Sequence, residues 1–333
     1  MTYSLEDFDY NLPDDRIAQE PATPRDHSKL LVYDRSNGSI VSDYFYNIGK
    51  HLPNNTTLVV NNSKVEKCRL LFNGGKVEIF VTKAINNKIV EAMVRPGKKF
   101  KPGKSVQLTD ELYAKTISIA EDGIRTIELS LPLDHEAVEA FKRTPFPPYI
   151  ERNESLADRY QTVYAKDEGS KAAPTAGLHF TPSLLESLRK QGIQKQEVTL
   201  HVGLGTFAPV KADAIEEHTM HSEWYNITVE QADALNNTED ITAVGTTSVR
   251  VLESARKAQE PFRACSGDTD IFITPGYQFT SVDHLVTNFH LPKSTLLMLV
   301  AAFTGMEPMW EIYDYAIQNE FRFYSFGDAM LIL

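Results

Sequence analysis

The stretch ITAVGTTSVRVLESAR, residues 241–256, indicates the class of the fold. Its first four residues form a short apolar run that is typical of a buried strand, and residues 248–256 have the spacing of a helix. The turn Gly245-Thr246-Thr247 joins the two. Because a strand that runs directly into a helix is the repeating unit of α/β proteins, this stretch predicts an α/β fold.

Segments on both sides repeat this alternation of strand and helix. Further strands are predicted at 58–60, 199–202 and 271–273, and helices at 182–190 and 294–303, the last with Ser294 near its start. The longest apolar run, residues 296–303, is eight residues long. A membrane span needs about 20 apolar residues, so this run predicts a buried helix and no membrane association. Internal repeats and low-complexity tracts are not visible.

The part of the chain from 66 to 132 has a different pattern. Short strands predicted at 70–72, 77–81, 89–94, 117–119 and 124–129 alternate with Asn, Gly and Pro-Gly turns. Many short strands with close turns are typical of a small barrel or sandwich. We therefore expect a discontinuous mixed α/β main domain formed by residues 1–65 and 149–333, with a small β-barrel-like domain inserted at 66–148.

Composition is that of a globular enzyme in a reducing compartment. The chain has 333 residues, of which 42% are hydrophobic and 24% charged, enough for two domains with their own cores. Its two cysteines, Cys68 and Cys265, are far apart and form no CxxC pair, which excludes a disulfide framework and disfavours a thiolate zinc site. The first residues are acidic and lack the apolar run of a signal peptide, so we expect a cytoplasmic location.

Charge is distributed unevenly along the chain. The net charge of −11 argues against nucleic-acid binding, but residues 64–104 contain eleven Lys and Arg against three acids. This stretch therefore carries +8 and the remainder −19. Two interpretations remain open: a solvated surface of a small β domain, or a docking surface for phosphates.

Two glycine-containing turns follow predicted strands. At Gly245 to Arg250 the first N–H groups of a helix and three hydroxyls could face anionic or ribose oxygens of a ligand, or could simply cap the helix. At Gly203-Leu204-Gly205-Thr206 the backbone could approach a ligand closely, or form a tight structural turn. The absence of a third glycine at a helix start disfavours a dinucleotide site, and the absence of Gly-Lys-Ser/Thr disfavours NTP hydrolysis.

Histidines mark other candidate positions. His218 and His221 lie near three glutamates (Glu216, Glu217 and Glu223), which could hold a metal, but their spacing is not the His-Glu-x-x-His pattern. Hydrogen-bonding or acid–base roles are favoured, and we expect no metal. His290 lies in a predicted strand-to-helix loop, where it could be functional or structural. Serine-type nucleophilic catalysis stays open, although no Gly-x-Ser-x-Gly elbow is present.

Several long motifs together resemble one family. They are PTAGLHFT (174–181), TLHVGLGTF (199–207), VGTTSVR (244–250) and TNFHLPKST (287–295), with YNLP (10–13), VRPGKK (94–99) and GDAM (327–330) extending the match to both ends. The chain resembles the S-adenosylmethionine:tRNA ribosyltransferase-isomerase family of queuosine biosynthesis. It departs at 61–64, where Asn-Asn-Ser-Lys replaces the family's frequent Asn-Asp-Thr-Arg, and at Ser170-Lys171, where small apolar residues are usual.

The resemblance implies a reaction and its partners. The ribosyl part of S-adenosylmethionine would be transferred to the aminomethyl group of 7-aminomethyl-7-deazaguanine at the tRNA wobble position and rearranged, giving epoxyqueuosine, adenine and methionine. S-adenosylmethionine would be a consumed substrate, so no cofactor is expected, and the protein is expected to be a monomer. The rival hypotheses are an S-adenosylmethionine-dependent RNA methyltransferase and a non-catalytic tRNA-binding module.

The residue types and the resemblance together give a set of site residues. We expect the loops 175–179, 201–206, 245–250 and 288–290 to converge at the carboxyl ends of strands. The predicted catalytic residues are His201, His290 and Asp328. The predicted tRNA-binding residues are Arg95, Lys98, Lys99, Lys101 and Lys104. The predicted substrate-binding residues are Arg25, Asp26, Asn61, Tyr160, Thr175, His179, Gly203, Gly205, Thr206, His218, His221, Thr246, Thr247, Arg250, Asn288 and Arg322.

Overall fold

The computed structural model describes residues 3–151, 153–203, 205, 215, 218, 220–256 and 260–333. The chain divides into two compact units. Unit 1 is formed by the described parts of Met1–Lys64 and Pro147–Leu333, and unit 2 by Val65–Phe146. In these described residues no helix is long and apolar enough to cross a bilayer.

Strands and helices alternate along unit 1, whereas unit 2 consists mainly of strands. The helices are α1 (Glu136–Glu139), α2 (Pro182–Lys190), α3 (Val229–Asn236), α4 (Thr246–Ala255), α5 (Thr295–Thr304) and α6 (Met306–Gln318). The strands are β1 (Lys29–Asp34), β2 (Ser39–Tyr44), β3 (Thr57–Asn61), β4 (Ser63–Val65), β5 (Arg69–Phe72), β6 (Val77–Ala84), β7 (Ile89–Arg95), β8 (Ser105–Gln107), β9 (Tyr113–Ile119), β10 (Arg125–Leu129), β11 (Lys142–Arg143), β12 (Asp167–Ser170), β13 (Gln194–Leu200), β14 (Glu223–Ile227), β15 (Ile241–Val244), β16 (Cys265–Thr269), β17 (His284–Asn288) and β18 (Ala329–Ile332).

Unit 1 is built on a nine-stranded mixed sheet. The strand order is β16-β14-β13-β3-β15-β17-β18-β1-β2. The four strands β13, β3, β15 and β17 run parallel to one another, and β18 is parallel to β1. The remaining neighbours in this sheet are antiparallel: β16 with β14, β14 with β13, β17 with β18, and β1 with β2. The carboxyl ends of four parallel strands therefore lie along one edge of the sheet.

Helices cover both faces of this sheet. Alternate residues of β1 show the two faces, because Leu31 packs into one apolar cluster and Leu30 into the other. Residues of α3, α4, α5 and α6 contribute to the first cluster, and Leu184 and Leu188 of α2 to the second. This layered arrangement fixes the sheet, so that the loops leaving its carboxyl edge start from rigid positions.

Unit 2 contains a seven-stranded antiparallel sheet. Its order is β11-β5-β6-β7-β10-β9-β8. Neighbouring strands along the chain pair as hairpins, for example β6 with β7 and β9 with β10. Fully buried side chains such as Leu70, Ile79 and Ile127 form its interior.

The structure confirms the mixed α/β class and most of the predicted elements. The helix at 182–190 has the predicted bounds, and Ser294 accepts a hydrogen bond from the Leu297 N–H at the start of α5. The strand predicted at 271–273 is wrong: the chain pairs with β14 earlier, at Cys265–Thr269. The helix predicted from Ser248 begins two residues earlier, at Thr246, because the positive φ of Gly245 (87°) turns the chain directly out of β15.

Candidate functional site

A cleft opens at the carboxyl edge of the parallel strands in unit 1. We call it the strand-edge cleft. The space within it, including the open solvent at its mouth, is about 690 Å³. Three of the four loops predicted to converge supply much of its wall, and Val202 joins them from the loop after β13. The lining residues are Tyr149, Ala172–Ala176, Val202, Gly245–Thr247, Thr287–Leu291, Ser294, Leu296, Tyr324 and Ser325.

A chain of hydrogen bonds leads from the cleft into the protein. Thr175 Oγ1 donates to Asn288 Oδ1 at 2.9 Å, and Asn288 Nδ2 donates to His179 Nε2 at 3.0 Å. His179 Nδ1 lies 2.8 Å from Ser28 Oγ. Thr175 and Asn288 line the cleft, whereas the imidazole of His179 is buried behind them against Phe45.

The partners of Asn288 fix the tautomer of His179. Asn288 Nδ2 also faces the carbonyl oxygen of Asp328 at 3.4 Å, and a carbonyl can only accept, which sets the amide orientation. His179 Nε2 is therefore an acceptor, and its proton lies on Nδ1, which donates to Ser28. Burial, with smaller effects of the cations Arg322 and Arg25, lowers the pKa of His179 to about 3. The imidazole is thus neutral and holds the Asn288 amide in one orientation.

His290 lies in the cleft, at the predicted strand-to-helix loop. Its Nε2 is 2.9 Å from Thr287 Oγ1, and its backbone N–H donates to the hydroxyl of Tyr313 at 2.9 Å. Its carbonyl oxygen accepts a hydrogen bond from the hydroxyl of Tyr10. Burial lowers the pKa of His290 to about 3, so the side chain is uncharged at neutral pH.

The start of α4 faces the same cleft. Thr246 and Thr247 both line it, and the first N–H groups of a helix have no partner within the helix. Thr247 Oγ1 is buried and has no hydrogen-bond partner among the described residues. A buried hydroxyl that lacks a partner carries a cost that a ligand oxygen or a water would remove. This position combines helix N–H groups with an available hydroxyl, as expected for a contact to ribose or carboxylate oxygens.

Two of the three predicted catalytic residues are not among the cleft-lining residues. The His201 ring stacks on Trp224, with centroids 4.9 Å apart and planes at 21°. The Asp328 carboxylate accepts from the backbone N–H groups of Lys29 (3.0 Å) and Arg322 (2.8 Å) and from Arg322 Nη2 (3.2 Å). Asp328 therefore ties the start of β1 to the chain before β18, which is a structural arrangement.

Arg250 is also directed away from the cleft. It pairs with Glu223 of β14, both residues being buried, and its Nη2 donates to the carbonyl of Thr269 at 3.2 Å. The other Glu223 oxygen accepts the N–H of Gly203 at 2.7 Å. Arg250 and Glu223 together connect α4 to the loop after β13, so the pair holds the Gly203 end of that loop in place.

Other predicted substrate-binding residues support the walls around the cleft. Arg25 Nη1 donates to the carbonyl of Gln161 at 3.0 Å, and burial lowers its pKa. Asp26 accepts from the hydroxyl of Thr181 at 2.8 Å. The Asn61 amide joins β3 to β13 through the backbone N–H (3.0 Å) and carbonyl (2.9 Å) of Leu200. Tyr160 is fully buried against Phe326 at 5.9 Å, and Arg322 pairs with Asp328.

Position 62 explains one departure from the family pattern. Asn62 Nδ2 donates to Asp167 Oδ2 at 3.1 Å, and Asn62 Oδ1 accepts from the hydroxyl of Thr199 at 2.8 Å. An ionised aspartate at 62 would face the Asp167 carboxylate without a proton to share. In this chain, the amide removes that repulsion while keeping the hydrogen bond to Thr199.

Gly205 lies beside one residue of the histidine pair. The exposed ring of His221 fills the space beside Gly205, where a Cβ would come within 2.2 Å of it. His218 packs on Phe272 with centroids 5.4 Å apart, and burial followed by the proximity of His221 lowers its pKa. No group of three metal-ligating side chains occurs in the described residues. Thr206, Glu216 and Glu217 lie outside the described residues.

The predicted tRNA-binding residues form part of unit 2. Lys98, Lys99, Lys101 and Lys104 are all exposed, around the fully buried Phe100 that anchors the segment. Arg95 differs, because its guanidinium pairs with Glu78 at 3.0 Å. The four lysines therefore present free charge to solvent, while the charge of Arg95 is partly neutralised.

The cleft residues that the sequence-based assignment missed include Tyr149, Tyr324 and Ser325. Tyr149 and Ser325 line the cleft and share a hydrogen bond of 2.7 Å, and Tyr324 packs on Tyr149 with centroids 4.7 Å apart. All three fall in polar-rich stretches of the sequence. Their residue types alone gave no reason to choose them over their neighbours.

Comparison with known proteins identifies relatives along the whole length. A family model described as queuosine biosynthesis protein matches residues 5–332. The S-adenosylmethionine:tRNA ribosyltransferase-isomerases of Thermotoga petrophila and Acetivibrio thermocellus are each 47% identical, covering 99% and 98% of this chain and 99% of each relative. The crystal structure of S-adenosylmethionine tRNA ribosyltransferase from Thermotoga maritima is similar with a TM-score of 0.57 and 38% identity, covering 98% of this chain and all of that one.

Proposed function

The chain belongs to the queuosine biosynthesis family of S-adenosylmethionine:tRNA ribosyltransferase-isomerases and is an enzyme of this transferase and isomerase class; from this premise we propose its reaction. The enzyme transfers the ribosyl moiety of S-adenosylmethionine to the aminomethyl group of 7-aminomethyl-7-deazaguanine at the tRNA wobble position. It isomerises this moiety to give epoxyqueuosine, and adenine and methionine leave. S-adenosylmethionine is consumed as a substrate, and no resident cofactor takes part.

The family match over residues 5–332 is the observation that carries this proposal. The strand-edge cleft supports it, because hydroxyl and amide groups (Thr175, Thr246, Thr247, Asn288 and Ser325) line its wall. A substrate whose ribose is opened and rebuilt needs several hydrogen-bonding partners for its hydroxyls. A cleft that bound only phosphates would need basic side chains, and among the described residues its wall contains none apart from the neutral His290.

The charge state of His290 suggests its role. The sulfonium of S-adenosylmethionine acidifies the adjacent C5′ hydrogens of the ribose, so a positioned base can remove one. Because burial holds the pKa of His290 near 3, its neutral ring is a weak base and is not a cationic acid at neutral pH. We assign it a hydrogen bond to the substrate, and we assign removal of the C5′ proton and protonation of the leaving adenine to other groups. Asn288, held by His179, and Thr247 contact substrate oxygens in this scheme.

The two units divide the work in this proposal. Unit 1 holds the cleft and performs the chemistry, whereas unit 2, which we interpret as a small barrel-like inserted domain, docks tRNA phosphates on its exposed lysines. Phosphate contacts position an RNA without reading its bases. The acidic remainder of the chain leaves this surface as the favourable one for a polyanion.

Product analysis tests the reaction. The protein is incubated with S-adenosylmethionine and tRNA that carries the aminomethyl precursor, and digested nucleosides are identified by mass spectrometry. Adenine, methionine and the epoxide nucleoside are expected, all dependent on the precursor. Release of S-adenosylhomocysteine with a methylated nucleoside would instead indicate a methyltransferase. Binding of tRNA without any turnover would indicate a binding module.

A further inference from the structure

Trp224 is a large aromatic side chain that remains 40% exposed. It lies on β14, directly across from His201, whose backbone N–H donates to the carbonyl of Trp224 at 2.9 Å. The imidazole of His201 stacks on the indole, with centroids 4.9 Å apart and planes at 21°. One face of the indole is therefore covered, while a large part of the side chain is open to solvent.

The His201 ring that covers one face of the indole is itself tightly packed. A Cβ on Gly169, where φ is +139°, would lie 2.7 Å from the His201 ring, so the β12 backbone packs directly against the imidazole. The His201 ring is thus enclosed between β12 and Trp224. Because two strands hold it, the imidazole fixes the plane of the indole without a large entropic cost on binding.

The backbone that carries His201 continues into the wall of the strand-edge cleft. His201 is followed directly by Val202, which lines the cleft. Val202 is fixed by two hydrogen bonds, its N–H donating to Ser170 Oγ at 3.0 Å and its carbonyl accepting from the Lys171 N–H at 2.8 Å. The side chains of His201 and Val202 point to different sides of this extended segment, so the indole is a contact surface outside the cleft wall.

We propose that Trp224, backed by His201, is a stacking platform for an unpaired nucleobase of the tRNA substrate. This inference rests on the proposed function. Proteins that recognise RNA loops stack unpaired bases on aromatic side chains, and this requires no positive charge. Asp268 of β16 lies directly across from Trp224 on its other side and is exposed, which disfavours a phosphate there but leaves a base acceptable.

Binding measurements on two variants test the platform. Trp224→Ala should weaken tRNA binding about 5- to 150-fold, the range for losing one stacked base, and Trp224→Phe should retain most of the affinity. The matched control is Tyr44→Ala, since Tyr44 is 47% exposed, stacks on Tyr46 at 5.6 Å and lies on β2 at the opposite edge of the same sheet. The tRNA affinity of Tyr44→Ala should stay within about two-fold of wild type, whereas the loss of a stacked base would weaken binding by more than this.

Abasic nucleotides identify the stacked base. Removing one base at a time from the anticodon loop should weaken binding to wild type at one position, and the same removal should have no effect on Trp224→Ala. Fluorescence gives a second readout. Trp224 and Trp310 are the two tryptophans, so Trp310→Phe leaves Trp224 as the reporter, and its emission should be quenched by tRNA.

Two results would overturn the platform: unchanged tRNA affinity in Trp224→Ala, and unquenched Trp224 emission in the complex. If the unchanged tRNA affinity came with a raised KM for S-adenosylmethionine, the adenine of S-adenosylmethionine would be placed on the indole instead. If wild type binds tRNA but forms no epoxide nucleoside, the proposed reaction fails while the binding comparison still decides the platform.

Discussion

Replacing Arg250 with methionine removes one partner of a buried ion pair. Arg250 and Glu223 are 5% and 4% exposed, and the remaining Glu223 carboxylate would keep the Gly203 N–H but lose its counter-charge. Breaking such a pair costs about 3–5 kcal/mol, because a buried charge loses this counter-charge in a medium of low dielectric. We therefore expect Arg250→Met to lower the free energy of unfolding of unit 1 by about this amount.

Urea denaturation followed by tryptophan fluorescence measures this change. Both tryptophans, Trp224 and Trp310, belong to unit 1, so the signal reports on that unit. The double variant Arg250→Met/Glu223→Gln should be more stable than Arg250→Met alone, since the buried side chain at position 223 no longer carries a charge. Arg189→Met is the matched control: Arg189 pairs with Glu186 on the solvent face of α2, and its loss should leave the midpoint unchanged.

A loss below about 1 kcal/mol in Arg250→Met would refute this reasoning, because that is the range of an exposed pair. A double variant less stable than Arg250→Met would also refute it. In that case the hydrogen bonds of Glu223, and not its charge, would account for the stability of this region.

Three further predictions concern the histidines and the lysines. His179→Ala should lower kcat about 10- to 100-fold by releasing the Asn288 amide, with the KM for S-adenosylmethionine nearly unchanged and partial recovery in His179→Gln; steady-state kinetics measure it, and an effect on KM alone would contradict it. Burial lowers the pKa of His179 and His290 to about 3, so stability is fully present above about 6.5 and falls as pH drops toward 3; at pH 5 the loss should be about 2 kcal/mol per histidine, measured by urea unfolding and reduced in His290→Asn. Replacing the exposed Lys98, Lys99 and Lys101 with glutamate should weaken tRNA binding and leave S-adenosylmethionine binding unchanged. The slope of log affinity against log salt concentration should fall by about 3, and an unaltered slope would remove these three residues from the docking surface.

Local features of the fold were predictable from the sequence. The join between β15 and α4 depends on a short apolar run, one glycine with positive φ and a helix start, all within a few residues. The position of the cleft followed from general geometry, because parallel strands end at the same edge. Both predictions use information contained in neighbouring residues or in the strand direction alone.

The directions of individual side chains were not predictable in the same way. Thr246 and Arg250 are one helical turn apart on α4, which suggests a common face. Thr246 lines the cleft, yet Arg250 pairs with Glu223 of β14. The same holds for His201 and Val202, whose side chains point to different sides of an extended chain. Choosing between them requires the register of β13 against β14, which depends on pairing between residues distant in sequence.

The place of β18 in the sheet has a consequence for how the protein is made. β18 is the last strand in chain order, yet it lies between β17 and β1 and is the element through which the β1–β2 hairpin joins the other strands. During synthesis on the ribosome this hairpin emerges early and finds no edge to pair with. Leu30 and Ala329 are partners in the finished sheet, so the pairing spans nearly the whole chain, and closing so long a loop slows folding. The nascent hairpin, with its exposed edges, is therefore the segment most in need of protection from aggregation until β18 has been translated.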